Sequence, residues 1–156
     1  MSAGKLKTAA ILLFLVVDAT GQQAQRFVVL PASEAKMAAD FYPKEGPERI
    51  DGPWEASMAD IAALEVNLSH ISDLKSRGGI TGGRIEHPER YFRQYIAVLQ
   101  AGNRRIFINA FCDSIHPSSI WHNHFYVIMD GGSCVWHALY DPATKSFSDL
   151  ETNGLA

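Results

Sequence analysis

Apolar residues recur along this chain with three rhythms. The first is unbroken: Ala9 to Val17 carries no polar side chain, with Lys5 and Lys7 before it, Asp18 closing it and the small residues Ala19-Thr20-Gly21 after it. The second is helical. Ser57-Met58-Ala59-Asp60 has the form of a capping box with Asp in place of Glu, and Ile61, Leu64, Leu68 and Ile71 follow at spacings of three and four. At about 100° per residue those four side chains fall within an arc of roughly 80°, which predicts an amphipathic helix from Met58 to Leu74. From Tyr91 the period becomes two. Tyr91 to Gln100 and Arg105 to Cys112 flank Ala101-Gly102-Asn103 and predict one hairpin, while Trp121 to Met129 and Cys134 to Tyr140 flank Asp130-Gly131-Gly132 and predict a second. Asp141-Pro142-Ala143-Thr144 is a turn signal, and Ser146 to Leu150 after it is a last strand. Upstream, Arg26 to Leu30 reads as a short strand and Ser33 to Phe41 as a short helix capped by Ser33. Tyr42 to Pro53, with three prolines and two glycines, reads as a surface connection. The order predicts an α+β domain in which one long amphipathic helix packs on a four- to five-stranded antiparallel meander sheet.

The first rhythm changes what the rest is taken to be. A basic start, a short apolar middle and small residues at its end are the marks of a secretory signal peptide over residues 1–21. Nine apolar residues rise only about 13 Å as a helix against a hydrocarbon core of about 30 Å, so no membrane span is expected after processing. Residues 22–56 then form the N-terminal strand, short helix and linker, and residues 57–156 the helix and sheet, all within one domain. Export sets the compartment as periplasmic or extracellular, where the two cysteines, Cys112 and Cys134, are expected to form a disulfide. Closing that segment stabilises a fold by about 3 kcal/mol on the chain-entropy model. The whole chain has a formal net charge of −3, and losing Lys5, Lys7 and Asp18 makes it one unit more acidic. Nucleic acid is therefore not an expected partner, since that role needs a concentrated basic face.

Two features of the strands carry candidate function. One helix covers one sheet face, yet both faces have large side chains: Phe92, Ile96 and Val98 alternate with Tyr91, Tyr95 and Leu99, and Ile106 and Ile108 with Phe107 and Phe111. Either the N-terminal segment covers the second face, or a binding surface of Tyr91, Arg93, Tyr95, Phe107, Asn109 and Phe111 is open to a partner. The second feature is Trp121-His122-Asn123-His124. On a strand, His122 and His124 share a face, and a tight turn at Gly131-Gly132 places His137 with them, a set able to bind zinc or copper. A register shift of one residue sends His137 to the other face.

Other chemistry finds little support. A Cys112 nucleophile with His116 or His124 conflicts with the expected disulfide. The acids Glu86, Glu89, Asp113, Asp130 and Asp141 lie beside turns, where carboxylates cap backbone amides. The Gly-rich stretch from Arg77 to Arg84 lacks the strand before it and the Lys-Ser or Lys-Thr after it that a phosphate loop needs. There is no Gly-x-Ser-x-Gly elbow, His-Glu-x-x-His or dinucleotide fingerprint, and no cofactor is implied beyond the candidate zinc or copper.

Asp130-Gly131-Gly132, Trp136, Tyr140-Asp141-Pro142, Phe147, Asn153-Gly154 and Ala156, with Arg90 to Tyr95 and Asn109-Ala110-Phe111 upstream, resemble a group of small secreted bacterial proteins of unassigned function. The resemblance runs from Trp54 to the end; it implies a bacterial envelope setting and supplies no catalytic residues. The helix-then-meander order is also similar to cystatin-like folds, but the inhibitory Gln-x-Val-x-Gly is absent, with Gln94 and Val98 misplaced for it, so protease inhibition does not carry over. The expectation is an exported, non-enzymatic binding protein of inhibitor, immunity or accessory type. It would engage a protein or small ligand of the cell envelope through the open sheet face or the loops around Asp113 to Ser119. A metal-binding protein or metal-dependent hydrolase centred on His122, His124 and His137 is the alternative, and a small-ligand pocket between helix and sheet is a third.

Overall fold

The computed structural model describes residues 26–78, 83–115 and 117–154; the expected signal peptide lies outside the described residues. The long central strands run over Phe92–Gln100 (β3) and Asn103–Phe111 (β4), paired in register from Phe92↔Phe111 to Gln100↔Asn103. That register leaves a two-residue turn, Ala101-Gly102, with φ of 46° and 76°. Both residues are left-handed, as a type I′ hairpin turn requires.

Val135–Asp141 (β5) pairs with β4, and Ser146–Thr152 (β6) with β5, both antiparallel. Asp141 shapes the turn between them, its Oδ1 accepting from Ala143 N at 2.8 Å and Thr144 N at 3.3 Å. The far edge of β3 carries two short strands, Phe27–Val29 (β1), which runs parallel to it, and Ile50–Pro53 (β2), which runs antiparallel. The result is a mixed sheet of six strands in the order β1-β3-β4-β5-β6, with β2 beside β1 on β3.

Two expectations are corrected here. The sheet is not a pure antiparallel meander, because β1 adds a parallel pair and the expected surface connection contains β2. Trp121 to Met129 is no strand: it opens with a 3-10 helix over Ser119–His122 and continues as irregular chain. Its alternation was not selective, since Trp121, Phe125, Val127 and Met129 are apolar at one parity and Tyr126 and Ile128 at the other. Only Trp121 and Phe125 are buried, while Val127 and Met129 are exposed.

The predicted helix begins where expected and ends early. Ser57 caps Met58–Asn67 (α2) through the capping box: its Oγ accepts from Asp60 N at 3.2 Å, and Asp60 Oδ2 accepts from Ser57 N at 2.8 Å. The Ser57 hydroxyl holds the Asp60 carboxyl below the usual carboxylate range. From Leu68 to Asp73 the chain tightens into a 3-10 helix, so one long α-helix is not formed. Asn67 donates from Nδ2 to Ala63 O at 2.7 Å, and Asn67, Ser69 and His70 are all weak helix formers. Side chains three apart eclipse in a 3-10 helix, so Leu68 and Ile71 still reach the core with Ile61 and Leu64.

Both sheet faces are covered. On one, α2 and its 3-10 extension bury Tyr95, Ile106, Ile108, Ala110, Trp136, Ala138 and Tyr140. On the other, Leu30, Ala35, Ala38 and Phe125 pack on Ile96, Val98, Phe107 and Leu139; Ala35 and Ala38 belong to the short helix Ala35–Ala39 (α1). Trp121 packs on Phe111 and Val135. Of the two readings of the second face, the structure has the covered one, and residues after Phe111 do much of the covering.

Candidate functional site

The residues read from sequence as one binding surface fall on two faces. Tyr95 lies in the core under α2, and Tyr91 packs edge-on against Trp136 of that core. Phe107, Asn109 and Phe111 point the other way. Arg93, Tyr95, Phe107, Asn109 and Phe111 are all buried, and only Tyr91 is partly accessible.

Their polar members are internal anchors. Arg93 donates from Nη1 to the carbonyls of Pro88 (3.1 Å), Glu89 (3.0 Å) and Tyr91 (2.6 Å), and from Nη2 to Glu65 Oε2 at 3.1 Å. The Tyr95 hydroxyl donates to Glu65 Oε1 and accepts from Arg93 Nε at 2.9 Å. Burial raises the Tyr95 phenol well above its ordinary range, so it stays a donor. Arg93 thereby fixes the 3-10 helix Pro88–Arg90 to the sheet.

On the opposite face, Gln94 and Asn109 hold the excursion that joins β4 to β5. Gln94 Nε2 donates to Trp121 O at 2.6 Å and His124 O at 2.7 Å, and its Oε1 accepts from Tyr126 N and Asn109 Nδ2, each at 2.8 Å. That uses both donors and both acceptor positions of the amide. Asn109 Nδ2 also donates to Tyr126 O at 3.0 Å. From outside, Glu34 Oε2 accepts from Phe125 N at 2.9 Å, and Asn153 Nδ2 donates to Ile128 O at 2.6 Å. At the neck, Cys112 and Cys134 stand at disulfide distance, with Cα atoms 5.0 Å apart and Cys112 N donating to Cys134 O at 2.9 Å.

The three candidate metal ligands are not brought together. His137 is buried on β5, stacked against Phe107 at 5.6 Å between ring centroids and packed on Phe41 at 4.4 Å. Burial pushes its imidazole down to about 4. His122 lies against the indole of Trp121 at 4.4 Å, and His124 Nδ1 is 3.4 Å from Glu34 Oε1. Without the expected strand, His122 and His124 share no face with His137. Among the described residues no three His, Cys, Asp or Glu side chains group as metal ligands.

Chemistry-bearing groups converge instead at the neck. A cleft of about 400 Å³ is lined by Glu86, His87, Arg90, Tyr91, Cys112, Asp113 and Ser114. Its two walls are the segment pinned by Arg93 and the start of the excursion. His87 is left-handed, with φ of 55°, a conformation that costs a side-chain-bearing residue on the order of 1 kcal/mol and is held here by the Arg93 contacts just after it. Asp113 is neutralised by Arg26, whose Nη1 and Nη2 reach its carboxylate at 2.6 and 3.3 Å; Arg26 also donates to Arg90 O at 2.6 Å. Ser114 Oγ lies 2.9 Å from Cys112 Sγ and 3.3 Å from Cys134 Sγ. Tyr91 closes the rim by donating to Ser133 O at 3.1 Å.

Sequence reading named Tyr91 and Cys112 and pointed to the loop from Asp113, but missed Glu86, His87 and Arg90 as parts of one site. The signal available was the run of charges before β3 and the two cysteines bracketing its opposite wall. Comparison with family models, curated proteins and solved structures finds no match to this chain. No helix among the described residues is long and apolar enough to cross a membrane.

Proposed function

We propose that this is an exported binding protein of the cell envelope that holds a ligand in the cleft beside Cys112 and works without catalysis. The observation that carries this reading is the cleft itself. It has the size of small-ligand sites, and its walls are fixed by Arg93 on one side and the cysteine neck on the other. Pre-fixed walls favour affinity, because little ordering remains to be done on binding. Arg90 and Glu86 put one cation and one carboxylate on the lining, which suits a small zwitterion such as an amino acid or a peptide end. The export setting rests on the signal-peptide reading of residues 1–21 together with the cysteine pair at disulfide distance.

The test is amide shift mapping by NMR against a panel of free amino acids and di- and tripeptides. A binder is expected to move Glu86 to Tyr91 and Cys112 to Ser114, and Arg90→Glu to abolish the response. No response from the panel, or shifts confined to the separate hollow beside Val29 and Trp54, would overturn the reading.

A further inference from the structure

We infer that the Cys112–Cys134 pair is a thiol–disulfide exchange site for small zwitterionic thiols that enter the cleft. The pair is not sealed in the core. Cys112 is half-buried and lines the cleft together with Ser114, whose Oγ lies 2.9 Å from Cys112 Sγ. Access to the attacked sulfur and stabilisation of the departing one govern the rate of such exchange. Ser114 supplies the second, because its hydroxyl reaches both sulfurs and can donate to whichever becomes a thiolate. Asp113, the acid beside Cys112, is neutralised by Arg26 and so repels an incoming thiolate less. Arg90 and Glu86 on the lining select a thiol that carries both a carboxylate and an ammonium group.

The exchange balances without any other oxidant. A thiolate attacks Cys112 Sγ; its electron pair forms the new S–S bond, and the old bond breaks with its pair going to Cys134 Sγ. Cys134 leaves as a thiolate, receives a hydrogen bond from Ser114 Oγ and takes a proton from water. A second small thiol, as thiolate, attacks the ligand sulfur of the mixed disulfide and releases Cys112 as a thiolate, which is then protonated. Two thiols are oxidised to one small disulfide, and the protein pair is reduced to two thiols. The excursion stays docked throughout, because Gln94, Asn109, Glu34 and Asn153 hold it independently of the sulfurs. The site is thus able to be reduced without unfolding, and the reverse reaction, in which a small disulfide is attacked by Cys112 as a thiolate and Cys134 then displaces the bound thiol, restores the protein bond; this stoichiometric exchange does not depend on ligand retention being the protein's main role.

The experiment measures the second-order rate of reduction of the native protein by L-cysteine and by 2-mercaptoethanol, per thiolate, with alkylation and mass detection, and repeats it in urea. The native rate with L-cysteine is expected within tenfold of the unfolded rate and severalfold above that with 2-mercaptoethanol. Arg90→Gln is expected to remove that preference. Ser114→Ala is expected to slow native exchange by about tenfold, the loss of one hydrogen bond to a charged group, with no change in urea and with recovery in Ser114→Thr. A native rate a thousandfold below the unfolded one, equal rates for the two thiols, or an unaffected Ser114→Ala would each overturn the inference. Exchange without any panel binding would sink the binding proposal instead, and panel binding without exchange would sink only this one.

Discussion

Acidification from pH 7 to 4.5 tests the core through His137. Its imidazole is enclosed by Phe41 and Phe107, and burial holds it down to about 4 from an ordinary value of 6.5. The folded value lies below the unfolded one, so in this window the unfolded chain binds more protons than the folded chain. Stability is therefore complete above pH 6.5, falls as pH falls, and levels off near 4, where the folded imidazole also charges. Two and a half pH units at about 1.36 kcal/mol each give a full loss of about 3 kcal/mol, of which about 2 kcal/mol is gone by pH 4.5. Asp60 and Asp40 act in a different window. Their folded values lie below the ordinary 3.8, Asp60 through the Ser57 hydroxyl and Asp40 through Lys44, so their contributions persist above 3.8 and fade only as pH falls through those lower values. The assay is urea denaturation at pH 7, 5.5 and 4.5 for the wild type and His137→Phe, with the cysteine pair oxidised. The wild type is expected to lose about 2 kcal/mol more than the variant between pH 7 and 4.5. Parallel pH profiles would refute the reasoning, because every other titrating group is common to both proteins.

Two other substitutions probe the supports of the site and the central hairpin. Gln94→Leu keeps the volume but leaves the carbonyls of Trp121 and His124 and the amide of Tyr126 without their partner, and is expected to cost about 3 kcal/mol in urea denaturation with faster hydrogen exchange at Tyr126. An unchanged Tyr126 exchange rate would remove Gln94 from the role of anchor. Ala101→Asn places at a φ of 46° a residue that tolerates the left-handed region, giving the Asn-Gly pair a type I′ turn favours, and is expected to raise stability by about 1 kcal/mol in the same assay; a lower midpoint would contradict the turn assignment.

The sequence made some elements legible because a local rule and the global packing agreed. Ser57 and Asp60 form the expected reciprocal cap, Ile61, Leu64, Leu68 and Ile71 are all buried, and Ala101-Gly102 turns the first hairpin. Elements decided by tertiary contact were not legible. Nothing local requires Phe27–Val29 to run parallel to β3, or Ile50–Pro53 to leave its loop and pair with the same strand. The end of α2 at Asn67 is set by a side-chain bond to Ala63 that competes with the helix, and periodicity cannot register that. The second hairpin failed because Trp121 to Met129 has apolar residues at both parities, so alternation gave no preferred face. The cleft was only half visible, since Glu86 to Tyr91 and Cys112 to Ser114 meet through Arg93 and the β3–β4 register rather than through any shared motif.

Gln94 and Asn109 account for the covered sheet face and leave the accessible cleft at its rim. Polar residues at core parity on a β-strand can mean that the face is wet and open, or that something docks on it and needs its backbone groups satisfied. Sequence alone does not separate these, because both use the same residues at the same spacing. Here the amides of Gln94 and Asn109 are spent on the chain between Cys112 and Cys134, so the apolar face under them is taken by the protein itself. A chain that covers its own sheet with an excursion must bring both ends of that excursion back to adjacent strands. That return places Cys112, just after β4, beside Cys134, just before β5, and the segment pinned by Arg93 faces them across the gap. The arrangement that closes the sheet face therefore creates the cleft, and disturbing the Gln94 and Asn109 anchors should affect the cleft walls even though neither side chain lines them.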